Sequence, residues 1–545
     1  MIVTGIYDST TGRNELLQCN TFFKSYNGKS IVVICDDYIN SPDYIVSLYL
    51  NRGSECVNKI SSLFVIISAD STGLHIMCDP YGSQWNLFYC VKDGLFYYST
   101  SMKSLLSVCP INRTLNKNAA KIFLKRGFLI DGQTLITDIK CLTCAQELFF
   151  NQDGLHVQHY KYQFKICNYS KSDARNMLIP AIEDSILAYY SSADKSVSLP
   201  LSNGYDSNLI FNTIRKKCND KEINVFTIGG VVGRNEIPAV KENIKGIRGV
   251  QHYTDIIDKE LLRSFPDIVW RLEGSLFEGG VFLQYALGKL AQKAGITKMI
   301  CGECSDEHQK SRFIKDMFNV THGKYHPNYR YYSRANPFLT AHFVVLKKSS
   351  LMLNSFGIRG CYPFVNVTFT QLASILVSDN LNDKSLYKAL CQKEFPALIG
   401  KNVKTMGGAV DEVSYLSTDA KKRLLQLTCK SKLIQDINSI KEPAVNMALD
   451  NEFIRICDAN PNRNILINSI HAFSNYYKSK FTSNSWQPEP FFYNDDQKCM
   501  RELYILLFNE LFITGKYDDL FMNKGITMDF WEYVKTMDDN DVRIE

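Results

Sequence analysis

Between residues 197 and 301, short apolar runs alternate with stretches whose apolar residues recur at helical spacing. That alternation narrows the folds open to this 545-residue chain more than any other feature. Strands are expected at 197–201, at Ile223-Asn224-Val225-Phe226-Thr227-Ile228, near Val250-Gln251-His252-Tyr253 and at Thr297-Lys298-Met299-Ile300-Cys301. Helices are expected at 207–218, 236–246 and 280–294. Strands separated by helices in this way form a parallel sheet, and such sheets bind ligands beyond the carboxyl ends of their strands.

Two turns at those ends carry chemistry. The first lies in Leu199-Pro200-Leu201-Ser202-Asn203-Gly204-Tyr205-Asp206-Ser207-Asn208. Glycine lets the backbone come close to a ligand, the first helical N–H groups are unpaired, and the helix dipole favours an anion there, so the turn suits phosphate. Asp206 beside such an anion calls for a cation between them, and magnesium is the natural choice. The second turn, Cys301-Gly302-Glu303-Cys304-Ser305-Asp306-Glu307, follows the strand at 297–301. Asp206 and Asp306 are therefore expected to meet at one magnesium pyrophosphate. Taken singly, the first turn reads as a plain connection and the second as a solvated acidic loop; their shared position at strand ends argues for a site.

Composition bounds the rest. A hydrophobic share of 45% and a charged share of 22% describe an ordinary globular protein, and the length allows a large core. A formal charge of +6 with no basic run gives no reason to expect nucleic acid, while leaving room for an anionic substrate such as ATP. The start, Met1-Ile2-Val3-Thr4-Gly5, has no basic region followed by an apolar stretch, and no apolar run reaches the length of a membrane span. A cytoplasmic protein without membrane contact is expected. Of the 17 cysteines, only Cys141/Cys144 and Cys301/Cys304 form C-x-x-C pairs, too far apart for a zinc site; reduced, mostly buried thiols are expected.

The turn at 202–207 resembles the pyrophosphate loop of the asparagine synthetase superfamily, usually Ser-Gly-Gly-x-Asp-Ser, with Asn203 in place of one glycine. The loop at 301–307 resembles the family's Ser-Gly-Glu-Gly-Ala/Ser-Asp-Glu, with Cys304 in place of a glycine. Tyr362-Pro363-Phe364-Val365-Asn366, then Asp383-Lys384-Ser385-Leu386-Tyr387-Lys388, Pro396 and Lys404, follow in family order. The resemblance implies that Asp206 and Asp306 hold Mg2+. It implies that Leu201, Ile228, Cys301 and Gly302 line the adenosine of ATP. Ser202, Asn203, Gly204, Ser207 and Lys404 would serve the rest of the nucleotide. Lys384 would reach over the cleft to neutralise departing pyrophosphate, and Glu303 would take a proton from the attacking amine.

The first 165 residues are rich in strand signals such as Ser30-Ile31-Val32-Val33-Ile34-Cys35 and Leu63-Phe64-Val65-Ile66-Ile67. Cys78 to Cys90, Gly94 to Thr100, Lys103 to Leu106 and Thr134 to Leu142 resemble the glutaminase domain of the same family. The resemblance implies an α/β chain in two parts: a degenerate Ntn-hydrolase-like domain of stacked sheets at 1–168, and a pyrophosphatase-loop parallel-sheet domain with a helical extension at 169–545. The glutaminase chemistry is missing. An amidotransferase of this type needs a cysteine whose α-amine serves as base, and Ile2 stands there; Cys35-Asp36-Asp37-Tyr38-Ile39-Asn40 replaces the oxyanion-stabilising segment.

The expected activity is therefore an ATP-dependent ligase working through an acyl-adenylate, with the amine already on a small-molecule or peptide substrate. A lasso-type macrolactam cyclase, with peptide-processing partner proteins, stands ahead of a β-lactam synthetase. An ammonia-using synthetase and a catalytically degenerate scaffold are the alternatives. Lys324-Tyr325-His326-Pro327-Asn328-Tyr329-Arg330-Tyr331-Tyr332-Ser333-Arg334 reads equally as a lid or acceptor surface and as Tyr-rich packing. From 415 onward helical spacing continues without a motif.

Overall fold

The computed structural model describes residues 1–35, 39–79, 84–129, 132–142, 146–159, 169–190, 195–218, 221–230, 235–277, 280–305, 345–366, 368–369, 372–373, 375–376, 384–396, 417–440 and 495–542. The expected boundary near 168, the Tyr-rich stretch at 324–334, Asp306 and Lys404 lie outside them.

The amino-terminal part is two stacked antiparallel sheets. One takes the order β2-β1-β8-β7-β9, from β1 (Val3–Asp8), β2 (Arg13–Cys19), β7 (Phe88–Lys92), β8 (Leu95–Ser99) and β9 (Lys140–Cys141). The other runs β11-β10-β6-β5-β4-β3, from β3 (Phe22–Tyr26), β4 (Lys29–Cys35), β5 (Phe64–Asp70), β6 (Gly73–Cys78), β10 (Gln146–Asn151) and β11 (Gly154–His159). Local chemistry sets the hairpins. Asn27-Gly28 and Asp93-Gly94 join β3 to β4 and β7 to β8 with positive φ at both turn residues, the geometry that matches strand twist. Between the sheets, Phe150 of β10 meets Tyr7 of β1 and Phe96 of β8 at ring-centroid distances of 6.2 and 5.2 Å.

The expected strand–helix alternation is present. β12 (Ser196–Pro200), β13 (Glu222–Gly230) and β14 (Val250–Ile257) form a parallel sheet, with Leu199 opposite Val225 and Val225 opposite His252. Helix α1 (Tyr205–Lys217) follows β12, α2 (Ile237–Asn243) follows β13, and α3 (Val281–Lys293) precedes β15 (Lys298–Ile300). β15 lies alongside β12 and hydrogen-bonds in parallel to β16 (Arg359–Cys361). The helix before the sheet runs over Lys171–Ala188 with Ser170 as its N-cap. Ser170 and Asp173 form a capping box that satisfies two end N–H groups at once.

Two apolar cores result. One belongs to the parallel sheet and its helices. The other runs from the stacked sheets into the helical regions at 259–293 and 495–542, where Phe123 and Tyr504 rings lie 5.0 Å apart. A buried ion pair crosses this second core. Lys103 Nζ lies 3.4 Å from Glu273 and donates to Trp270 O at 3.1 Å, while Glu273 accepts from Ser101 Oγ and Met102 N. Burial pulls the Lys103 pKa down, and Glu273 opposes that shift. Cysteines among the described residues form no disulfide and are mostly buried. No helix among the described residues is long and apolar enough to cross a membrane.

Candidate active site

The first turn is a loop that its own side chains lock. Leu201 N donates to Phe226 O at 2.8 Å, so the chain stays beside β13 until it turns at Ser202. Ser202 N donates to Ser207 Oγ and Gly204 N to Ser202 Oγ, both at 3.1 Å, and the two hydroxyls lie 2.9 Å apart. Asn208 Nδ2 donates to the carbonyls of Ser202 and Gly204. No side chain caps α1 at Gly204, which leaves the first-turn amides of the helix to an anion. Asn203 does not need the freedom of the glycine it replaces, since its φ is not positive. Its side chain is buried and accepts from Asn243 Nδ2 at 3.1 Å.

The second turn comes to the same place. Ser305 Oγ donates to Asp206 Oδ1 at 2.7 Å. Cys304 has φ +69°, the left-handed conformation that glycine adopts freely, so the loop keeps a glycine-like path at a cost of about 1–2 kcal/mol. Lys384 joins from a third segment: Nζ donates to Asp206 Oδ1 at 2.8 Å and Oδ2 at 2.9 Å. With φ +59° at the start of the helix Ser385–Glu394, its side chain is buried and meets the cavity rim at the Asp206 carboxylate.

A cavity of about 350 Å³ opens at these strand ends. Of the residues singled out from sequence, Leu201, Ser202, Asp206, Ser207, Ile228, Gly302 and Glu303 line it together. Asn203, Gly204, Cys301 and Lys384 do not. Cys301 is fully buried, its thiol turns away from the cavity to donate to Met299 O at 3.6 Å, and burial pushes its pKa well up.

Glu236 and Gln284 are among the lining residues that escaped the sequence reading. Glu236, just before α2, accepts from Asn203 N through Oε2 at 3.2 Å. The rule that ligands sit at strand ends pointed to it, because it is the first acid after β13. Gln284, on α3, carried no signal: its Nε2 donates to Glu303 Oε1 at 3.0 Å. Burial raises the Glu303 pKa, partly opposed by hydrogen bonds, Gln284 among them.

These residues fit a nucleotide with magnesium. Leu201 and Ile228 give apolar walls for a flat ring, and the uncapped end of α1 with two serine hydroxyls suits phosphate. Magnesium is ordinarily held by one or two carboxylates plus substrate phosphates, and Asp206, which lines this end of the cavity, is a carboxylate that would supply one such oxygen.

Residues 181–323 match the model of the asparagine synthase family, and residues 41–161 that of the glutamine amidotransferase domain. The second match begins beyond the segment holding Ile2. No curated protein matches the chain. Among solved structures, glutamine phosphoribosylpyrophosphate amidotransferase from B. subtilis, complexed with ADP and GMP, aligns at 9% identity over 56% of this chain and 76% of its own, with a TM-score of 0.20. An allosteric regulatory enzyme of purine biosynthesis aligns at 10% identity over 54% and 64%, with a TM-score of 0.19. Scores this low add nothing to the strand order seen directly. Residues 181–323 are thus similar to the synthase domain of the asparagine synthase family, a family of ATP-dependent amide-forming ligases, and residues 41–161, ahead of them, to a glutamine amidotransferase domain.

Proposed function

We propose that the protein forms an amide through an acyl-adenylate, using an amine already carried by its substrate. A lasso-type peptide macrolactam is the first choice of product and a β-lactam the second. The observation that carries the ligase reading is the meeting of the 202–207 loop, Ser305 and Lys384 at one carboxylate, Asp206, on the rim of a nucleotide-sized cavity.

In this reading the substrate carboxylate attacks the α-phosphorus of ATP, the bond from that phosphorus to its bridging oxygen breaks, and pyrophosphate leaves. Amides of the first turn of α1 and the Ser202 and Ser207 hydroxyls meet the leaving charge, with Lys384 behind Asp206. Magnesium, when bound at Asp206 and the phosphates, supplies further charge neutralisation. The amine then attacks the acyl carbon, the bond to AMP breaks, and Glu303 takes the amine proton. Holding both groups in one pocket contributes about 7–11 kcal/mol by proximity.

That the amine comes with the substrate is supported by Ile2, which stands ahead of β1 with its N–H on Asn20 Oδ1 at 2.6 Å and offers no thiol. Asn40, in the segment that replaces the oxyanion pair, accepts instead from Ser61 N and Ser62 N. An ammonia-using synthetase is the second reading, favoured by the carboxylate of Glu303. Mass spectrometry separates the two. A peptide that loses one water with release of AMP and pyrophosphate supports cyclisation, whereas pyrophosphate release with free aspartate and ammonium supports the synthetase. Failure to bind ATP with magnesium overturns both and leaves a binding or scaffold role.

A further inference from the structure

We infer that Gln284 selects the amine: it holds the Glu303 carboxylate in place and offers a second acceptor to the nitrogen of an organic primary amine. The inference rests on the ligase reading above and assigns the acceptor half of the same cavity.

Gln284 is 7% exposed and lines the cavity between Leu283 and Leu287 of the same helix. Its Nε2 donates to Glu303 Oε1 at 3.0 Å, the orientation that the ionised carboxylate requires, because the opposite flip would then set oxygen against oxygen. The amide oxygen is buried and makes no hydrogen bond among the described residues. Buried side-chain acceptors are normally paired, and an unpaired one on a cavity wall marks a place where a ligand donor goes.

The arrangement has a chemical preference. Glu303 and the Gln284 oxygen are two acceptors on one wall; Gln284 Nε2 and the Ser349 hydroxyl already donate to Glu303, and the Lys348 charge acts on it from the same side. A primary amine or its ammonium form brings two or three N–H donors to such a wall, and a quaternary ammonium brings none. Leu283 and Leu287 flank the amide, so a carbon chain on that nitrogen gains apolar contact that ammonia cannot make. Gln284 thus acts as a positioning residue for Glu303 and as a specificity residue for the acceptor.

The test uses the full chain saturated with ATP and magnesium, and calorimetry with n-butylammonium, ammonium and tetramethylammonium as probes. The expected order is n-butylammonium bound most tightly, ammonium weaker, and tetramethylammonium not detectably bound. Gln284→Leu should weaken n-butylammonium about tenfold. It should also move the pH midpoint of binding upward, because Glu303 loses a donor that favours its charged form. Equal binding of n-butylammonium and tetramethylammonium by the unaltered protein overturns the inference without need of a variant, as does an unshifted pH midpoint in Gln284→Leu. Failure of the unaltered protein to bind ATP overturns the ligase reading instead, and the amine titrations then decide the role of Gln284 on their own.

Discussion

Lys384 and Asp206 stand 178 residues apart in the chain, yet the lysine Nζ touches both carboxylate oxygens of the aspartate, at 2.8 and 2.9 Å. The lysine side chain is nearly sealed from water, while the aspartate keeps 23% of its side-chain surface exposed toward the cavity. The lysine thus meets the cavity only through the Asp206 carboxylate. Lys384→Met should lower the rate of pyrophosphate release by roughly a hundredfold or more, the order seen when one group stabilising developing charge is removed. Asp206→Asn should do the same with the melting transition retained. Near-normal turnover in either variant would remove Asp206 and Lys384 from the mechanism.

Glu303 supplies a pH signature. Burial raises its pKa from the ordinary 4.5, so folding favours the neutral form. Its contribution to stability is full below the unfolded value and is lost as pH rises through the folded one. Glu303→Gln, neutral at every pH, should therefore melt higher than the unaltered protein above that window and match it in acid. Amide formation, which needs the carboxylate as base, should rise with pH through the same window and be abolished in the variant. Calorimetric melts at several pH values and a pH–rate profile check both.

The serine interlock invites a milder test. Ser207 Oγ accepts from Ser202 N and lies 2.9 Å from Ser202 Oγ. Ser207→Ala leaves that backbone N–H without its partner, at a cost of about 1–3 kcal/mol. Weaker ATP binding should accompany the lower stability. A variant that binds ATP as tightly as the unaltered protein would show that the loop does not cradle phosphate.

Lys103 tests the second core. With Glu273 only partly satisfied by Ser101 and Met102 once the lysine is gone, Lys103→Met should destabilise the protein by about 3–5 kcal/mol. Denaturant unfolding measures it. A loss under about 1 kcal/mol would mean that the pair behaves like an exposed one.

Ile2 makes the opposite prediction. Ile2→Ala should leave pyrophosphate release unchanged and yield no glutamate from glutamine, because no thiol exists there to attack the amide. Glutamate release above the background of a no-enzyme control would contradict the reading of the first domain.

Much of this was legible in local pattern. Period-two runs and Asn-Gly or Asp-Gly turns announce the stacked sheets, and the strand–helix alternation from Leu199 to Cys301 announces the parallel sheet, because each depends on near neighbours in the chain. The same rule, that sites gather at strand ends, brought Asp206, Ile228, Gly302 and Glu303 to one cavity. Side-chain direction was beyond it. Whether Cys301 faces the cavity or Met299, whether Lys384 meets the cavity itself or through Asp206, and that Gln284 meets Glu303 all depend on which partners packing brings within hydrogen-bond range. Backbone path follows from periodicity and turn chemistry, which repeat along the chain; the partner of a buried polar group is a matter of proximity between distant segments, and no spacing encodes it.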